Sequence, residues 1–204
     1  MPALGLALLA LLAPALVLAA EAPAFPYAPD PASPGAADWD GTAWTIVREG
    51  VTLRLEPLDD AARRAFIRRT TGSASDPFAS APGSRAGFAA FVLTVGNHSS
   101  GVVVFESQAC RMGSGLEDER PPLDLAAIES AYRSIDQDVP AVFRDLRPLL
   151  FEGTLLLPAG QEARGLLVFR APPEPVKRLH VTAPITRADG SITELKAAYR
   201  KRKR

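Results

Sequence analysis

Thiol and imidazole are scarce in this chain of 204 residues, which holds one cysteine and two histidines. With Cys110 alone, an intramolecular disulfide is excluded, so the fold must be held by packing. No two histidines stand four apart, so the helical metal-binding pair is absent as well. Charge is missing from the first twenty residues, MPALGLALLALLAPALVLAA. That apolar run ends in small residues and reads as an export signal over 1–22, although no Lys or Arg precedes it. About twenty apolar residues can also cross a bilayer, so an uncleaved N-terminal anchor is the second reading. Pro14 and the many alanines weaken that alternative. Glu21 follows LAA where a lipid-bearing cysteine would stand, so no N-terminal lipid is expected.

What is present is enough apolar material for a core: 47% hydrophobic residues against 23% charged. The formal net charge of zero conceals a split. The last nine residues, KAAYRKRKR, carry six Lys or Arg, which leaves 17 basic against 23 acidic residues in the rest. Such an acidic body with a short basic end is unlike a nucleic-acid-binding face, so no specific nucleic acid is expected. Residues 191–204 read as a basic C-terminal tail, either a frayed, solvated terminus or one able to touch an anionic surface such as phospholipid headgroups or cell-wall polymer. Residues 23–43, dense in Pro, Ala, Gly and Ser, read as a tether. The folded domain is expected over 44–190.

Within it, Val51, Leu53 and Leu55 alternate with Thr52, Arg54 and Glu56, the mark of a half-buried strand. DDAARRAFIRRTTG (59–72) changes period to a helix, with Asp59 or Asp60 as its cap and Gly72 as its stop. A Ser/Pro/Gly-rich loop follows over 73–87 with Phe78 as its anchor. FVLTV and VVVFE then alternate on either side of GNHSSG (96–101), which predicts a hairpin bend. Residues 121–151 predict one or two short helices, with Leu125, Ile128 and Tyr132 at helical spacing. The strand pattern resumes on both sides of Pro158-Ala159-Gly160 and ends with a last strand over 176–190, where Leu179 and Val181 face inward and His180 outward.

In this order of features the chain resembles the immunoglobulin-like domains of bacterial secreted proteins and lipoproteins of unassigned function. The residues that carry the likeness are FVLTVGNHSSGVVVFES and LLLPAGQEARGLLVFRAP. The resemblance implies a mainly β, immunoglobulin-like antiparallel β-sandwich with a short early helix and a helical insertion before the last strands. It implies binding roles rather than chemistry.

Reactive groups are few. His98 adjoins Ser99, but neighbours in a turn seldom aim at each other, and no Gly-x-Ser-x-Gly elbow is present. A metal-binding or enzymatic alternative would have to recruit His98, Cys110 and His180, with Met112 as a soft ligand that suits copper. Cys110 and Met112 share strand parity, which places both in the core instead. Asp59-Asp60 fits a helix start, Glu117 to Glu119 a solvated loop, and Asp136 with Asp138 lacks the remainder of a calcium loop. No catalytic, cofactor-binding or metal residue is therefore assigned, and no cofactor is expected. The expected role is that of an exported cell-envelope binding or assembly module. Its loops at 73–87 and 111–124 would meet an unidentified protein or envelope component. Membrane contact is expected only if the N-terminal segment is retained.

Overall fold

Alternation decides which side chains leave water. In the computed structural model, which describes residues 26–74, 76–78, 87–115, 117–133, 145, 147–172 and 176–202, Val51, Leu53 and Leu55 are fully buried while Thr52 and Arg54 are not. Repeated along the chain, this pattern gives two antiparallel sheets packed face to face. One contains β1 (Tyr27–Pro29), β11 (Ile192–Lys201), β10 (Arg178–Arg187), β6 (Val103–Glu106) and β8 (Thr154–Leu157) in that order, with β7 (Arg111–Gly113) also on β10. The other runs β2 (Asp38–Trp39), β3 (Trp44–Arg48), β4 (Val51–Leu58), β5 (Phe88–Asn97) and β9 (Glu162–Arg170). Between the sheets lies the main core, where Trp44 meets Trp39 and Tyr199, and Phe91 meets Phe169. The chain is thus a mainly β sandwich with two α-helices among the described residues, α1 (Asp60–Thr71) and α2 (Leu125–Arg133).

The helices explain why β5 and β9 are apolar on both faces. Phe91 and Leu167 point into the sandwich, whereas Val92, Leu166 and Val168 point outward into a second core with Phe66, Ile128 and Tyr132. Helix α1 begins where Asp59 accepts the Ala62 amide at 2.8 Å and stops at Gly72, whose φ of 74° is left-handed. Its buried residues are Arg63, Phe66 and Ile67, with Ala62 partly buried beside them. Arg63 grips Asp76 through Nε at 2.9 Å and Nη2 at 2.9 Å, and Asp76 accepts the Phe78 amide at 3.0 Å. Phe78 is fully buried, as an anchor should be, and burial pushes the Tyr132 phenol beside this pair up to about 12.

Several expectations need correction. The stretch 23–43 is not all tether: Tyr27 and Trp39 belong to strands, and Tyr27 is almost wholly buried with its hydroxyl accepting the Val176 amide at 3.1 Å. The segment 191–204 is no tail up to Arg202. Leu195, Ala197 and Tyr199 alternate into the core, and β11 pairs with both β10 and β1. The strand over 176–190 is accordingly followed by another. Nor is GNHSSG a hairpin, because β5 and β6 lie in different sheets, and β8 and β9 do likewise across Pro158-Ala159-Gly160. Period two fixes which face a residue takes but not which strand it pairs with, and six residues span the roughly 10 Å between sheets. The signal at 1–22, most of the 73–87 loop, a second helix near 139–146 and Asp136 with Asp138 lie outside the described residues.

Candidate functional site

The two ends of the sandwich are built differently. At one end the inter-sheet bend over 97–103 is tied by Asn97, which is fully buried. Its Nδ2 donates to Gly101 O at 2.7 Å and to Leu157 O at 2.8 Å, while its Oδ1 accepts the Ser99 amide at 3.0 Å and the Ser99 hydroxyl at 2.6 Å. The Asn97 carbonyl accepts the Gly160 amide at 2.7 Å, and its own amide donates to Gln161 O. One side chain thereby joins both crossovers between the sheets. Its amide nitrogen is spoken for and out of water, so the Asn-His-Ser sequence offers no glycosylation acceptor in the folded chain.

The candidate reactive residues are not brought together. His98 is exposed, and its Nε2 lies 3.1 Å from where a Cβ on Gly96 would sit, on the outer face of the second sheet beside Thr52. His180 lies on the outer face of the other sheet, since its neighbours Leu179 and Val181 point into the core. Cys110 and Met112 are in that core, as their parity predicts, and burial pushes the Cys110 thiol up to about 12. Among the described residues no three His, Cys, Asp or Glu side chains cluster as metal ligands would. The carboxylates do local work: Asp59 caps α1, as expected of one of the pair.

The opposite end is open, and here the loop after β7 matters. Asp118 and Glu119 fold back over Gly113, where a Cβ would stand 2.9 Å from both Asp118 Oδ1 and the Glu119 Cα, so no larger residue fits. The loop is closed by paired backbone bonds between Met112 and Arg120. Asp118 accepts the Ser114 hydroxyl at 2.6 Å and the Gly115 amide at 2.8 Å, and these bonds hold its carboxyl below the usual range. Glu119 Oε1 meets His180 Nε2 at 2.8 Å, so the loop is pinned to the outer sheet face. Glu117 and Asp118 are exposed, as expected of a solvated loop, and the Glu119–His180 contact makes that loop a clasp.

Beside the clasp lies a cleft of about 270 Å³ lined by Met112, Gly113, Asp118, Arg120, Arg170, Pro172 and Val176. Its floor is apolar, and the side chains of Arg120 and Arg170 make no ion pair among the described residues. Around it β10 begins and β11 ends, placing Lys177, Arg178, Arg200, Lys201 and Arg202 at the same end. Arg178 and Arg200 are direct cross-strand partners. Sequence reading found the basic run but missed this cluster, because Arg120, Arg170 and the run are well separated in the chain. The alternation of Leu195, Ala197 and Tyr199 is the signal that makes the run a strand.

No known protein family matches this chain, and no curated protein does. Among solved structures it is similar to the crystal structure of a protein described as ApaA from Bordetella pertussis. The identity is 13%, with 78% of this chain and 91% of that chain covered and a TM-score of 0.35. So loose a likeness carries nothing about activity or ligand.

Proposed function

We propose that this chain is an exported, non-catalytic module of the cell envelope, with an immunoglobulin-like sandwich as its frame, that binds or assembles with a partner through its loops. The observation that carries this reading is the cleft beside the 111–124 loop, where Arg120 and Arg170, without an ion pair among the described residues, stand over an apolar floor held by a rigid sandwich. A guanidinium pair there recognises carboxylate or phosphate groups of a partner by bidentate hydrogen bonds. The separation of His98, Cys110 and His180 favours contact over chemistry. Export is supported by the uncharged first twenty residues.

Capture from the native envelope tests the binding role. One defined partner should be retained by the wild-type protein and lost from the Arg120→Ala/Arg170→Ala variant. Stoichiometric copper or zinc in the purified protein, absent from His98→Ala, would overturn the reading. The buried Cys110 should resist thiol reagents until the protein is unfolded; prompt labelling of the native protein would speak for the reactive alternative. Mass spectrometry of the mature N terminus tests export: loss of residues 1–19 or more is expected, and their retention means an anchor.

A further inference from the structure

Seven cations gather at the open end: Arg120, Arg170, Lys177, Arg178, Arg200, Lys201 and Arg202, all exposed. Among the described residues, three of the nearby carboxylates are engaged, Asp59 at the helix cap, Asp118 in its loop and Glu119 on His180, while Glu117 is exposed in that loop. Asp30 sits one row inward, its amide bonded to Ala198 O. Like charges directly opposite each other across a ladder weaken it, yet Arg178 faces Arg200. That arrangement leaves two like charges side by side and exposed, where an anion from outside would relieve their repulsion.

A second observation bears on which anion. Tyr27 pairs with Lys201, so the chain enters the fold at this same end. Until the uncharged N-terminal run is removed, only residues 21–25 separate it from Pro26, a reach of about 20 Å at full extension, so the membrane that takes up the run during export lies beside this end. Among the described residues, the large exposed apolar side chains Val47, Val102, Leu156 and Ile192 lie toward the opposite end, by the registers of their strands. What the described residues offer at the basic end is charge.

We infer that this end of the sandwich docks on a bilayer surface rich in anionic phospholipid headgroups, with Arg178 and Arg200 at the centre of the contact. The inference deepens the reading of an envelope module and makes the bilayer one of its partners. Each cation near such a surface strengthens binding about fivefold, and salt screens the effect beyond about 8 Å at physiological ionic strength. The test is flotation of the protein as isolated with vesicles of phosphatidylcholine, alone or with phosphatidylglycerol added. The wild-type protein should gain binding when phosphatidylglycerol is added and lose that gain in high salt. The Arg178→Gln/Arg200→Gln variant should lose about 25-fold of the gain, with a urea midpoint no lower than that of the wild type. Equal binding to both vesicle types, or a gain undiminished in the variant, would overturn the inference. Because the readout is the difference between two vesicles, a retained N-terminal anchor leaves it intact. Failure here is thus separable from failure of export, which the mature N terminus reports.

Discussion

The two ends of this sandwich carry the same kind of sequence, short runs of Gly, Ser, Asn and charge between strands, and use it in opposite ways. At the end holding residues 97–103 and 157–161, polar groups turn inward and satisfy one another around Asn97, and the charges of Arg187 and Glu49 pair off. At the other end Asp118 and Glu119 hold a loop, and the arginines are left facing water. A buried polar group costs free energy unless every bond is made, whereas an exposed cation costs nothing to leave unpaired. Histidine beside serine at the first end is therefore architecture, while the dull-looking basic run at the second is the surface with something to offer.

The sharpest way to break this contrast is at Asn97. Asn97→Leu removes both donors and strands the Gly101 and Leu157 carbonyls, so a loss on the order of 3 kcal/mol or more is expected in urea unfolding. A loss below 1 kcal/mol would mean that the bend is not a structural knot. Gly50→Ala comes next. Gly50 has a φ of 78°, and a Cβ there would stand 2.9 Å from the Ser99 amide nitrogen, so about 1–3 kcal/mol should be lost by the same measurement. Glu119→Gln weakens a partly exposed pair at the open end, and about 0.5–1 kcal/mol is expected. Its clearer signature is faster amide exchange confined to residues 114–120. Smallest is Arg178→Glu, which converts a repulsive cross-strand pair into an attractive one and should stabilise the fold by up to about 0.5 kcal/mol. A destabilisation there would mean that Arg178 is part of the fold rather than of a contact surface.

Much of the architecture was legible in the sequence, because burial on a sheet leaves a period-two trace. Val51 to Leu55, Leu179 with Val181, the Asp59 cap and the Phe78 anchor all stand where the pattern puts them. Three things were not legible, each for a physical reason. Sheet membership was hidden, since GNHSSG suits a hairpin and an inter-sheet bend equally well. Strands β1 and β11 were masked by composition: prolines around Tyr27 imitate a tether, and the charges on β11 imitate a frayed end although Leu195, Ala197 and Tyr199 alternate beneath them. The cleft was invisible because Met112, Arg120, Arg170 and Val176 meet only through the pairing of β7 with β10 and the return of β9.

Amide hydrogen exchange of the protein as isolated, followed residue by residue with and without anionic vesicles, tests the division between the two ends most directly. New protection should fall on residues 111–120, 176–180 and 198–202, with 96–103 and 157–161 unchanged. Protection at the Asn97 end instead would contradict it.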